Sequence, residues 1–219
     1  MRILLNDTHY TPEKIIGVGR NYDAHIKEMH ATPTGEPVLF IKPPTTLCSL
    51  SEDIVIPTRY GSVHHEVELA VLISRDGSAI DENAAMEHIG GYGLALDLTL
   101  RDMQSTAKKK GLPWAIAKGF DGACPISRHF VAKEKVADPH GLAISLRVNG
   151  ETRQQGTTAQ MIFRLPFLIS YISRFFTLKS GDIILTGTPS GVGPLRAGDR
   201  LGLSLEAVAD VETRVVAGT

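Results

Sequence analysis

Residues 61–74 read GSVHHEVELAVLIS, two carboxylates set inside what otherwise scans as an apolar β-strand. Side chains alternate sides along a strand and each residue rises about 3.3 Å, so Glu66 and Glu68 would share a face, roughly 6.6 Å apart at the backbone. That spacing lets both reach one cation. Val67, Leu69, Val71 and Ile73 fall on the opposite face, and beyond Glu68 the carboxylate face itself turns apolar with Ala70 and Leu72. The acids therefore belong near the end of a buried strand. Taken alone, the stretch also fits a half-exposed strand whose wet face carries His64, Glu66 and Glu68.

A third acid bears on that choice. In GGYGLALDLTLRD, residues 90–102, Asp97 lies among Leu94, Ala95, Leu96 and Leu98. An ionised carboxylate there is costly unless it is paired, hydrogen-bonded or bound to a metal. Three acids in two apolar segments imply a shared partner, which is either a divalent cation or a buried ion pair with Arg101 or Lys118. Spacing alone leaves both open.

The 219 residues, 42% of them hydrophobic, can bury a full core, and no linker divides the chain, so residues 1–219 read as one domain. A net charge of −1 without a basic stripe gives nucleic-acid binding little electrostatic support and points to small-molecule partners. Cys48 and Cys124 are far apart and belong to no CxxC pair, which fits reduced thiols in a cytoplasm. The apolar run in MRILLNDTHY is too short for a signal peptide, and no segment offers the ~20 uncharged apolar residues of a membrane span. The nearest approach, MIFRLPFLISYISRFF from Met161, is interrupted by Arg164, Pro166 and Arg174 and reads as a buried helix.

Further along, Ile15 and Ile16 lead into GVGRNYDAHIKEMH, where Gly17 and Gly19 suggest a tight turn before a short helix. His25 and Glu28 are neighbours on one helical turn, and a carboxylate beside an imidazole orients it as a general base. A surface helix whose polar residues face water has the same pattern. GVG lacks the third glycine of a dinucleotide fingerprint. ATPTGEP, residues 31–37, is a proline-and-glycine loop, so the segment of about residues 15–37 reads as including a lid with little apolar surface to hold it closed.

Residues 80–88 have helical spacing, with Asp81 as N-cap and Gly90 and Gly91 as the stop. TLRDMQSTAKKKGLPW reads as a polar helix or loop with a solvated lysine run, whereas Lys118, in WAIAKGFDG, faces a cleft or snorkels. Asn149-Gly150 is a hairpin signal, and Thr157 or Thr158 suits the cap of the helix from Met161. TGTPSGVGP, residues 186–194, lacks the lysine of a Walker A loop but can offer amides or the Thr188 hydroxyl to a carboxylate. The chain is β-rich without regular βαβ alternation, which predicts an α+β fold: a mixed β-roll or sandwich with a few short helices.

Seven motifs in order, GRNYxxHxxEM, PVLFIKP, HHEVELAV, GYGLALDLTLRD, KKKGLPW, AKGFD and GDIILTGTPSGVGP, resemble the fumarylacetoacetate hydrolase family nearly end to end. The short, single-domain form is similar to the acylpyruvases of that family. The resemblance implies a Mg2+ or Mn2+ site at Glu66, Glu68 and Asp97, a catalytic His25–Glu28 dyad in a lid, and Lys118 beside the reacting atoms. It implies substrate-binding positions at Arg20, Asn21, Arg101, Gln104, Lys118 and Thr188. No organic cofactor is expected, the partner is a small 2-oxo acid, and the family expectation is a homodimer. The leading activity is hydrolytic C–C cleavage of 3-acylpyruvates, such as acetylpyruvate or fumarylpyruvate, to pyruvate and a carboxylic acid. The same site also suits oxaloacetate decarboxylation, and tautomerisation or isomerisation of oxaloacetate or a 2-hydroxydienoate. A noncatalytic metabolite-binding protein is the rival of another class.

Overall fold

A computed structural model describes residues 1–29 and 35–218. Its centre is the Val67–Ile73 strand, buried along its whole length. Val67, Leu69, Val71 and Ile73 face one apolar core, while Ala70 and Leu72 face a second, so the alternation in the sequence separates two cores.

This strand lies inside a ten-stranded mixed sheet. Ile89–Leu96 runs antiparallel on one side of it and Ile183–Leu185 antiparallel on the other. Beyond Ile183–Leu185 come Ile15–Gly19, parallel to it, and then Val38–Lys42. A five-stranded sheet built on the hairpin Ala143–Val148 and Glu151–Thr157 packs against the first core through Ile144, Leu146, Leu201 and Leu203. The result is the mixed, strand-rich architecture with few short helices that the sequence predicts. Among the described residues no helix is long and apolar enough to cross a membrane.

Several local expectations are met by their mechanism. Asn149 and Gly150 both have positive φ, 54° and 84°, as the two-residue hairpin turn requires. Asp81 Oδ1 accepts from Asn83 N at 2.9 Å and caps the 3-10 turn Glu82–His88. The polar segment forms the Arg101–Lys110 helix, closed by Gly111 in the left-handed region at φ 65°.

Others are corrected. Gly90 and Gly91 do not stop a helix; they begin the Ile89–Leu96 strand, where Gly91 lies close under Val131 O. No helix starts at Met161: Thr157 caps the short turn Thr158–Gln160, and the helix is Leu165–Ser173, with Pro166 in its first turn. Gly17 makes no turn either. It lies in the Ile15–Gly19 strand opposite Phe40, and a Cβ there would stand 2.2 Å from the Phe40 ring. The turn that follows is carried by Arg20, a non-glycine residue at φ 61°.

Candidate active site and metal centre

Val67 pairs with Leu96 and His64 with Thr99, which sets Glu66 opposite Asp97 at the point where both strands leave the large sheet. There Asp97 N donates to Glu66 O at 2.8 Å, and the Val63–His65 strand goes on to form a small sheet with Thr99–Leu100 and Gly193–Pro194. Glu66 thus falls between two strands rather than within one. Glu68 is two residues along, inside the strand, and all three carboxylates are buried. One oxygen from each lies within 4.8 Å of the others. The half-exposed reading of these acids is therefore overturned.

Both partners considered for the acids are present as well. Arg101 donates to Glu66 Oε1 at 2.5 Å, and Lys118 donates to Glu66 Oε2 at 2.8 Å, to Thr99 Oγ1 at 2.8 Å and to Asp97 Oδ2. Lys42, fully buried, donates to Asp97 Oδ1 at 2.6 Å. Burial opposes the charge on Glu66, but Lys118 and Arg101 outweigh it and hold its carboxyl well below the usual range. Burial also opposes the charge on Lys118, and Asp97 and Glu66 outweigh it and raise its pKa.

Glu68 differs from the other two. It accepts 2.7 Å from Gly187 N, it forms no ion pair among the described residues, and its carboxyl is pushed up by burial, then by Asp97 and Glu66. A buried carboxylate close to two others and in no ion pair among the described residues is what a bound cation would relieve. All the donors are carboxylate oxygens, which suit a hard divalent ion. The triad therefore fits a divalent metal, with the ion pairs as a second layer around it.

Across one cavity from the acids stands His25. Its Nδ1 is 3.2 Å from Glu28 Oε2 on the Asp23–Glu28 helix, and Glu28 Oε1 accepts from Gly191 N at 2.9 Å. The helix is docked, with Ile26 and the preceding Tyr22 buried. Residues 30–34 of the expected lid loop lie outside the described residues.

Arg20, Arg101, Gln104, Lys118 and Thr188, the positions expected around the substrate, all line this cavity. Asn21 does not. It is buried, with Nδ2 donating to Phe163 O at 3.1 Å and Thr186 O at 2.8 Å and Oδ1 accepting from Phe163 N at 2.7 Å. Its amide ties chain segments together and is not among the residues facing the cavity, which corrects its assignment to substrate.

Three cavity residues or supports escaped the sequence reading. Lys42 was one lysine at a strand end before a proline, with nothing to mark it as buried. Gln154, wholly buried, accepts from Val67 N at 3.0 Å, sits 2.9 Å from His65 Nδ1, and donates to Thr188 Oγ1 at 2.7 Å and Pro189 O at 2.8 Å. It joins the acid-bearing strand to the 186–194 loop. Lys108, taken with the solvated run, lines the cavity beside Trp114. The signal for it was available, since Arg101, Gln104 and Lys108 follow the i, i+3, i+7 spacing of one helix face.

The fumarylacetoacetate (FAA) hydrolase C-terminal family model matches residues 14–216. The chain is 53% identical over 207 residues to Oxaloacetate tautomerase YcgM of Escherichia coli K12, covering 94% of each protein. It is 49% identical over 203 residues to the mitochondrial Oxaloacetate tautomerase FAHD1 of Mus musculus, covering 93% of this chain and 91% of that one. A crystal structure of fumarylpyruvate hydrolase from Pseudomonas aeruginosa in complex with Mn2+ and pyruvate superposes with a TM-score of 0.94 at 35% identity, covering 100% of this chain and 96% of that one.

Proposed function

Because the chain belongs to the fumarylacetoacetate hydrolase family, we propose that its acid triad and His25–Glu28 pair form one catalytic site, and that the protein is a divalent-metal-dependent enzyme interconverting the keto and enol forms of oxaloacetate. The observation that carries this reading is the His25–Glu28 pair facing three buried carboxylates across one cavity, a proton carrier opposite a cation site. The two curated relatives named as oxaloacetate tautomerases support it over the C–C hydrolysis placed first from sequence.

Mg2+ or Mn2+ bound by Glu66, Glu68 and Asp97 would supply Lewis-acid polarisation of the 2-oxo group. The chain supplies the proton handling. With Nδ1 turned to Glu28, Nε2 of His25 is the ring atom left to take the C3 proton and to pass it to the 2-oxo oxygen, which completes the enol, and to carry it back to C3 in the reverse direction. Glu28, clipped to Gly191 N, fixes the ring's orientation. Lys118 and Arg101 keep positive charge beside the acids, where negative charge grows on the substrate oxygen as C3 loses its proton. Thr188, hydrogen-bonded to Gln154 and to Val67 O at 2.8 Å, is held as a fixed part of the wall.

Hydrolysis of an acylpyruvate remains a second reading, favoured by the full-length likeness to the Pseudomonas aeruginosa fumarylpyruvate hydrolase. A product assay separates the two. Metal-loaded protein should accelerate keto–enol exchange of oxaloacetate with substrate mass unchanged. Release of carbon dioxide from oxaloacetate would mark a decarboxylase. Pyruvate and acetate from acetylpyruvate, without faster exchange of oxaloacetate, would replace the proposal with hydrolysis.

A further inference from the structure

The cavity walls carry four cationic side chains, Arg20, Arg101, Lys108 and Lys118, and three carboxylates. Arg101 and Lys118 are committed to the acids. Lys108 is not: it forms no ion pair among the described residues, and its Nζ stands 5.1 Å from the centroid of the Trp114 ring. Seven residues after Arg101 on the same helix, it starts about 10 Å further along the axis, and helical side chains lean back toward the N-terminus, here toward the acids. A half-buried ammonium resting on an indole face, and in no ion pair among the described residues, is an anion receptor in the wall of the cavity that also holds the triad.

We infer that Lys108 is a specificity-determining residue that binds the distal carboxylate of a 2-oxo diacid, with Trp114 holding the ammonium in place. This rests on the 2-oxo acid reading above and deepens it by dividing the cavity into a 2-oxo end at the acids and a second-carboxylate end at Lys108. Burial, and then the like charge of Arg101, lower the Lys108 pKa to about 8. A carboxylate bound against the ammonium would offset both.

Trp114 is the only tryptophan of the chain, so its fluorescence reports on this end of the cavity. Magnesium-loaded wild type, Lys108→Met and Lys108→Arg would be titrated with oxaloacetate and with 2-oxobutanoate, which lacks the distal carboxylate. Losing one charge-assisted hydrogen bond should weaken oxaloacetate binding to Lys108→Met about tenfold or more and leave 2-oxobutanoate within about twofold, with Lys108→Arg close to wild type for both. Unchanged oxaloacetate affinity in Lys108→Met, or an equal loss for both ligands, would overturn the inference. Wild type that binds oxaloacetate but does not accelerate its tautomerisation would sink the tautomerase reading alone, since the titration still decides Lys108. Wild type that binds neither acid would sink both.

Discussion

Glu28 Oε1 accepts a hydrogen bond from the amide of Gly191 at 2.9 Å, across 163 positions of sequence. The helix that carries His25 and Glu28 is thereby clipped to the 186–194 loop, whose Thr188 and Gly187 reach the acid-bearing strand through Val67 O and Glu68. Gly191 has φ +98°, and a Cβ there would lie 1.9 Å from Arg153 O. Only glycine leaves the clip undistorted.

Replacing Gly191 by alanine should therefore act on the dyad and not on the acids. Turnover is expected to fall about tenfold while Mg2+ affinity by calorimetry stays at the wild-type value. His25→Ala should fall further, by about 10²- to 10⁴-fold, the usual range for loss of a general base. Equal loss of metal binding in Gly191→Ala would mean the loop supports the triad and not Glu28.

The acids should separate by partner. Removing Glu66 or Asp97 strands buried cations, Arg101 and Lys118 in one case and Lys42 and Lys118 in the other, and should cost about 3–5 kcal/mol in metal-free urea unfolding. Glu68→Gln strands no cation, so its metal-free stability should match or exceed that of wild type. All three changes should abolish Mg2+ binding. A Glu68→Gln protein as unstable as Glu66→Ala would refute this division.

Gln154 has every hydrogen-bonding group engaged while wholly buried. Gln154→Ala leaves Val67 N and Pro189 O without partners and should cost about 3 kcal/mol by urea unfolding, mostly through desolvated backbone groups. Gln155→Ala, on the exposed side of the same strand, should stay within about 0.5 kcal/mol.

The pH response of substrate affinity should follow Lys108. Its lowered pKa, about 8, means the side chain is charged below that pH and neutral above it. Burial opposes its charge most, then Arg101, with smaller contributions from Lys118 and Arg20, while Glu66 favours it. KM for oxaloacetate should therefore rise between about pH 7 and about pH 9 in wild type and stay level in Lys108→Arg, whose guanidinium keeps its proton. A matching rise in Lys108→Arg would assign the titration to another group.

What the sequence exposed and what it hid divide along physical lines. The paired cores on either side of Val67–Ile73 were legible because strand alternation is local, and so were Glu66, Glu68 and Asp97, because acids in apolar runs demand a partner. The continuation of the ladder that sets Glu66 against Asp97 was not, since register belongs to two strands at once. Lys42 and Gln154 escaped for the same reason: their partners are 55 and up to 89 residues distant. Asn21 shows the opposite error. It sits in a site motif beside Arg20, yet its amide closes backbone gaps at Phe163 and Thr186, work that a polar residue in a motif can do without touching a ligand.

The ring of Lys42, Lys118 and Arg101 around Glu66 and Asp97 also bears on how the protein comes into being. In small zinc domains the ion is the keystone, and the chain is unfolded until it arrives. Here two of the three acids bring their own counter-charges from distant segments, so the polypeptide can reach its final shape without an ion. Loading a divalent ion would then be an exchange within a finished, buried site, one that could be undone and repeated without the chain coming apart.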